Sequence, residues 1–277
     1  MLLADCHVHS NCSEDGHYTM AEMLRTETER GVRFVCFTDH CDFEYYKTGE
    51  FDPQHLGRWD DILSQFDEAR HLFPDIELRL GLEVGAINHC PEEGAIVAAI
   101  PELDFIIGSV HNNRGIPDFF CLDYDSEGYC YELIDDYLLE NLELAQIGHF
   151  DVLGHLGYTL RYMNRAGHKP KITLERHGDV LDAIFKALIS SGRGLEINCS
   201  GFREPGFSES YPTVSLLKRY RELGGAIITI GTDAHVTEHA GLDLERGLAA
   251  LKGAGFEYYT VFRERKPSFV KIDGGTL

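Results

Sequence analysis

Histidines and carboxylates recur at the ends of the apolar runs of this chain, in a pattern suited to divalent metal ions. Asp5-Cys6-His7-Val8-His9 follows the short opening segment Leu2-Leu3-Ala4. On a β-strand, residues i and i+2 share a face, so His7 and His9 point the same way, as two ligands of one ion must. A borderline divalent ion wants four or more ligands. Later runs supply candidates: Thr38-Asp39-His40, Leu82-Glu83-Val84, Val110-His111, Gly154-His155, Glu196-Ile197-Asn198 and Thr232-Asp233-Ala234-His235. A lone His after an apolar run is ordinarily a hydrogen-bonded core residue, and a lone strand-end Glu is ordinarily a cap or ion-pair partner. Repetition from run to run is not explained in that way, and the joint pattern reads as a metal centre. The remaining histidines (His17, His55, His71, His89, His149, His168, His177 and His239) lie in helix-like or loop stretches. They read as surface or packing residues, with His17 in doubt because it lies close to the first motif.

The elements that must position these residues alternate along the chain. Strand-like runs are expected at 2–9, 33–38, 78–84, 105–110, 152–155, 194–198 and 226–232, with one more short strand at 258–262. Helix-like stretches lie between them. The first opens at Thr19-Met20-Ala21-Glu22, a capping box, and ends near Gly31. Others are expected within 53–73, 129–147, 173–191, 211–224 and 242–253. Such alternation implies a parallel sheet with right-handed crossovers. With no linker, repeat or low-complexity tract to divide it, the chain is expected to form a single α/β barrel domain over residues 1–277. Functional side chains of a barrel collect at the C-terminal ends of its strands, so the strand-end residues converge on one rim.

Length and composition agree with this. At 277 residues the chain suits a barrel of roughly 250 residues, and its 43% hydrophobic and 26% charged content is that of a globular protein. No run approaches the roughly 18 apolar residues of a membrane span, and no basic segment with an apolar core opens the chain. The eight cysteines show no C-x-x-C spacing, and are expected to be reduced thiols of a cytoplasmic protein. A net charge of −21 argues against nucleic acid and anionic membrane surfaces as partners. An anionic small substrate then requires positive charge concentrated at one place, and bound metal ions would be its source.

The motif set resembles the polymerase and histidinol phosphatase superfamily, the PHP domain. The matching elements are His-x-His on the first strand, Thr-Asp-His on the second, an isolated strand-end Glu, two later isolated His, and Asp-x-His within Gly-Thr-Asp-Ala-His. The resemblance runs from residue 5 to about 240 and implies a distorted (β/α)7 barrel, TIM-like, holding two or three divalent ions (Zn, Mn or Fe). Carried over, His7, His9, Glu83 and Asp233 look like ligands of a first metal. Glu83 would bridge to a second completed by His111 and His155, while Asp15, His40 and His235 look like the third set. Many members have His where Asp15 stands, and adjacent Glu14 and nearby His17 are alternatives for that place. Glu83, Asp233 and His235 are the expected catalytic ligands. Asp5 is expected to orient an imidazole or a neighbouring group rather than to bind metal.

Within the superfamily, the segment from Glu196 to Arg203 followed by Tyr211-Pro212 looks like the histidinol-phosphate phosphatase branch. So do Gly108-Ser109-Val110-His111 and residues 147–162, and the chain has no room for a polymerase domain. The resemblance implies hydrolysis of L-histidinol phosphate in histidine biosynthesis, by a hydroxide bridging the metals. Arg203 and Arg161 would grip the phosphate, since the guanidinium fork suits it. Another small phosphate ester, such as a nucleotide or sugar phosphate, is the alternative substrate, and a metal-binding module without activity the alternative class. Acidic residues near the rim, such as Glu44 and Glu238, carry no spacing that assigns them the general acid.

Overall fold

The computed structural model describes residues 2–273 and 275–276; Met1, Gly274 and Leu277, which the expected domain span takes in, lie outside the described residues. Seven strands form one parallel sheet in chain order: β1 (Ala4–Val8), β2 (Phe34–Asp42), β3 (Glu77–Gly85), β4 (Phe105–Ser109), β5 (Val152–Leu153), β6 (Gly194–Asn198) and β7 (Ile228–Gly231). The sheet curls until its two outer strands meet at a single parallel bridge between Val8 and Ala234. There the His9 amide donates to the Ala234 carbonyl (2.9 Å) and the Asp233 amide to the His7 carbonyl (2.8 Å). The barrel is thus nearly closed, as expected.

Outside it lie helices α1 (Met20–Glu29), α2 (Trp59–Leu72), α3 (Pro91–Ala98), α4 (Glu127–Ile147), α5 (Thr159–Arg165), α6 (Leu174–Ser190), α7 (Val214–Glu222) and α8 (Leu244–Gly253). The capping box is present at α1: Thr19 Oγ1 accepts from the Glu22 amide, and Glu22 accepts from the Thr19 amide at 2.8 Å. Helix faces bury Met20, Met23 and Leu24 of α1 and Leu181, Ile184, Phe185 and Leu188 of α6 against the strands.

Several boundaries differ from the sequence expectation. The second strand runs on to Asp42 because Asp39, His40, Cys41 and Asp42 continue the ladder against Leu82, Glu83, Val84 and Gly85. His40 is therefore held inside a strand. The helix expected within 53–73 runs over Trp59–Leu72, and a small hairpin pairing Glu44–Tyr45 with Glu50–Phe51, which was not expected, precedes it. Helices α3 and α5 were not expected; Pro91 at the first turn of α3 is the one conventional start signal between them. The run at 258–262 is a strand, Tyr258–Arg263, but it pairs antiparallel with Lys266–Lys271 in a separate sheet. This second hairpin floors the barrel at the N-terminal ends of its strands. Phe262 stacks on Phe105 with ring centroids 5.0 Å apart, the Tyr259 hydroxyl donates to the Leu2 carbonyl (2.8 Å), and Arg263 pairs with Glu77. Only the opposite rim stays open.

The barrel seam leaves no room beside Gly231. A Cβ there would lie 2.3 Å from His7 Cβ and 2.8 Å from Glu196 Oε1. Overpacking of this kind costs about 1–3 kcal/mol, so Gly231→Ala is expected to lower unfolding stability by that amount and to displace His7. Denaturant unfolding of the variant is the check, and a midpoint equal to that of the parent protein would show that the seam can give.

Candidate metal centre

The side chains at the rim come from six different strand ends. His7 is on β1 and His9 just beyond it; His40 is on β2 and Glu83 on β3; His111, His155, Asp233 and His235 follow β4, β5 and β7. Glu83 is central. Its Oε2 lies 3.2 Å from His7 Nε2, 3.4 Å from His9 Nε2 and 3.2 Å from His40 Nδ1. Its Oε1 lies 2.6 Å from His155 Nε2 and 3.1 Å from His111 Nε2. Asp233 Oδ1 lies 3.6 Å from His9 Nε2 and 3.8 Å from His7 Nε2. Asp15, on the loop after β1, has its carboxylate 3.2 Å from His235 Nε2 and 3.6 Å from His40 Nε2. Among the described residues, four groups converge tightly enough to hold an ion: His7, His9 and Asp233; His7, Glu83 and His155; His40, Glu83 and His111; and His9, His40 and His235.

Behind these side chains, other polar groups set which nitrogen faces inward. Glu196 Oε1 accepts from His7 Nδ1 at 2.6 Å, and its Oε2 accepts from the His155 amide at 2.7 Å. Asp42 accepts from His111 Nδ1 at 3.0 Å. Ser13 donates to Asp39 (2.7 Å), which leaves its oxygen to accept from His9 Nδ1 (3.1 Å). The Asp233 carbonyl accepts from His235 Nδ1 at 3.2 Å. In each case Nδ1 is engaged from outside and Nε2 faces the centre, the usual orientation behind a ligating imidazole. Sequence reasoning placed Glu196 at a strand end without a role, and assigned none to Asp39, Asp42 or Ser13. The signal was available in part, since strand-end carboxylates beside histidine ligands are natural partners for their outer nitrogens.

The same residues pass a test of fit for cations. Glu83 Oε2 and His40 Nδ1 are both buried without a hydrogen-bond partner, 3.2 Å apart. Buried polar atoms of this kind are costly unless something satisfies them, and a divalent ion between acceptors does so. The charges are poised accordingly. Burial works against ionising Glu83, but His7, His111, His40 and His155 hold its carboxyl well below the usual range. Burial likewise opposes the ionised form of Asp233, and Arg161, His9 and His7 hold it well below that range. Burial and then neighbouring His235 and His40 push His9 well below the ordinary imidazole value. Burial disfavours a charged His7, yet Glu196 and Glu83 push it well above that value.

The remaining expectations divide by position. Arg161 lines the rim cleft, donating from Nη2 to Asp233 Oδ2 (2.7 Å) and Ser200 Oγ (2.5 Å). Arg203 does not line that cleft; its Nη2 donates to the Thr232 carbonyl at 2.7 Å. Asp5 touches no imidazole and accepts from the amides of His7 (3.2 Å) and Thr232 (2.9 Å) and from the Thr232 hydroxyl. It fastens the backbone that carries the ligands. Glu14 borders the cleft, and the His17 amide donates to the His235 carbonyl.

Residues 5–200 match the PHP domain family. The chain belongs to that family. This PHP chain is 28% identical to a histidinol-phosphatase of Lactococcus lactis, over 99% of its own length and 97% of the relative's. It is 26% identical to a probable histidinol-phosphatase of Thermotoga maritima, over 94% and 95% of the two chains. Its fold matches the crystal structure of the histidinol phosphate phosphatase of Lactococcus lactis complexed with zinc, L-histidinol and phosphate. That match has a TM-score of 0.78 and 26% identity, covering 97% of this chain and all of the other. The PHP centre is multinuclear, and its ligand groups suit divalent ions.

Because His7 has a carboxylate on each ring nitrogen, the metal-free protein keeps it protonated at neutral pH. Its raised pKa stabilises the metal-free fold fully below the unfolded imidazole value, and that contribution is lost as pH rises through the folded one. Metal must displace this proton. Zinc loading at pH 7 is therefore expected to release about one proton or more per chain, as measured by titration calorimetry in buffers of different ionisation enthalpy. Buffer-independent heats would contradict the assignment of His7 as a ligand.

Proposed function

We propose that this chain is a metal-dependent histidinol-phosphatase, hydrolysing L-histidinol phosphate to L-histidinol and phosphate in histidine biosynthesis. The observation that carries the reading is that Asp15, His40, His111, His235 and Arg161 line one rim cleft of about 490 Å³, with His7, His9, Glu83, His155 and Asp233 converging beneath them, in a chain aligned over 97% of its length with a phosphatase holding zinc, L-histidinol and phosphate. A small phosphorylated metabolite is its partner. No helix of the described residues is long and apolar enough to cross a membrane, and the eight free cysteines support a cytoplasmic place for it.

Two or three divalent ions, when bound, supply the Lewis acidity that makes water nucleophilic near neutral pH and offsets phosphoryl charge. The protein's own residues do the rest. Glu83, Asp233 and His235 hold the centre together with His7, His9, Asp15, His40, His111 and His155. Glu196, Asp42 and the Asp39–Ser13 pair keep the imidazoles turned inward. Arg161 sits beside Asp233 with its guanidinium carbon 5.3 Å from the Tyr158 ring centroid, where its fork can take phosphoryl oxygens. Arg203 supports this from behind: by holding the Thr232 carbonyl it steadies the loop carrying Asp233 and His235.

A phosphate-release assay on the Mn- or Zn-loaded protein tests the reading against a panel of monoesters. L-Histidinol phosphate is expected to be the preferred substrate; turnover of a generic monoester alone would remove the narrow assignment. Glu83→Gln is expected to cut kcat/KM at least about a hundredfold and to lower metal content, because it weakens a shared ligand. Arg161→Ala should raise KM about tenfold or more if the guanidinium binds phosphate in the ground state. Unchanged kinetics for that variant would defeat its assigned role.

A further inference from the structure

His89, expected to be a surface or packing residue, is buried between two carboxylates. Its Nδ1 lies 2.9 Å from Glu44 Oε1 and its Nε2 lies 2.8 Å from Glu140 Oε2, with the His89 side chain only 3% exposed. An imidazole flanked in this way donates from both nitrogens and is an imidazolium. Burial works against that charge, but the hydrogen bonds of Glu140 and Glu44 push the pKa up to about 9. Glu140 is further held by the Arg114 amide (3.1 Å) and the Asn88 side chain. Asn112, the residue after His111, donates to the other oxygen of Glu44 at 2.7 Å. The carboxylate of Glu44 is therefore fixed from both sides.

Glu44 lines the rim cleft, as do Tyr45, Tyr46, Phe120, Tyr158 and Tyr162, with its side chain 11% exposed. Two carboxylates share one imidazolium, so about one negative charge is left at this wall. The arginines that line the cleft already have partners: Arg58 with Asp61 (2.6 Å), Arg161 with Asp233 (2.7 Å) and Arg165 with Glu204 (2.6 Å); Lys47 stands over the Tyr46 ring, 5.1 Å from its centroid. Glu44 belongs to none of the groups that converge on an ion. A held negative charge beside aromatic faces is a receptor for an organic cation.

We propose that Glu44 is the substrate-selecting residue of this site, receiving the cationic amino group on the organic part of the phosphate ester, and that His89 is the residue that positions it. The proposal rests on the amine-bearing substrate assigned above and deepens it. The metal end of the cleft handles the phosphoryl group common to all monoesters, and the Glu44 wall tells one monoester from another. A polar site built to pair with a substrate group discriminates strongly against esters that lack it.

The test compares kcat/KM for L-histidinol phosphate with that for p-nitrophenyl phosphate, which has no amine, in the metal-loaded full chain. Glu44→Gln keeps the shape of the side chain and removes its charge. The ratio of the two constants is expected to fall about tenfold or more, the usual worth of a charge-assisted hydrogen bond, mainly through KM for L-histidinol phosphate. His89→Gln should move the ratio the same way by a smaller factor, with metal content retained. Inhibition by L-histidinol should weaken in Glu44→Gln in parallel. If Glu44 and His89 only stitch the hairpin to α4, both esters lose equally and the ratio stays put, which overturns the proposal. If the parent protein shows no preference for the amine-bearing ester, the histidinol phosphate reading itself fails and takes this inference with it. A parental preference that survives intact in Glu44→Gln overturns the role of Glu44 alone.

Discussion

A single buried carboxylate, that of Glu83, lies within 3.4 Å of nitrogens from five imidazoles. Its two oxygens divide the histidines into those reached by Oε2 (His7, His9 and His40) and those reached by Oε1 (His111 and His155). A carboxylate with two oxygens in different directions is suited to join two ions, whereas an imidazole presents one lone pair. Without cations, the arrangement crowds imidazoles around one negative charge, and it leaves Glu83 Oε2 without a hydrogen bond. The fold holds this crowding because Glu83 and its five histidines stand at or near the ends of five neighbouring strands, and the strands are fixed by their ladders. Metal binding therefore relieves an arrangement that the barrel imposes in advance.

The barrel is weakest where it is most needed, at the seam between β1 and β7. Those strands meet at one bridge, yet both carry ligands. Asp5 compensates, accepting from the His7 and Thr232 amides and from the Thr232 hydroxyl. Burial pushes its carboxyl up, against hydrogen bonds from Thr232 and His7 that favour the ionised form. A buried acceptor with several donors is a rigid clamp, since losing any donor exposes desolvated charge. The interaction ties the first ligand motif, His7 and His9, to the last, Asp233 and His235, although more than 220 residues separate Asp5 from Thr232.

The fold was legible because strand and helix periods alternate with little interruption, and the histidines, Glu83 and Asp233 that the rim gathers could be picked out because they stand at the ends of apolar runs, whereas Asp15 lies on a loop. Legibility failed where local signals carry no direction. The strand at Tyr258–Arg263 has the composition of a barrel strand, yet its partner is the adjacent Lys266–Lys271, a choice made by a tight turn and by Arg263 and Arg265 reaching acidic groups on the barrel floor. Arg203 is expected from its motif to grip phosphate, and the hydrogen bond from its Nη2 to the Thr232 carbonyl is set by a side-chain direction that the motif does not carry. His89 carries no spacing that relates it to Glu44 or Glu140, which are 45 and 51 residues away. Outer-sphere partners such as Asp42 and Ser13 depend on side-chain direction, which periodicity does not encode.

An acidic protein that binds an anionic ester must keep its negative charge from acting on the phosphate. The residues at the rim do this by pairing. Glu83, Asp233 and Asp15 face imidazoles and prospective cations, Asp39 is absorbed by Ser10 and Ser13, and Glu204 by Arg165. Glu44 is the instructive case, because its partner His89 is shared with Glu140 and the pair retains net charge. Near the phosphoryl end that residue of charge would be a penalty. At the aromatic wall it is an attraction for a substrate whose far end is cationic. The same electrostatics that would repel a simple phosphate there thus orient an amine-bearing one, with its anionic end toward the ligands and its cationic end toward Glu44.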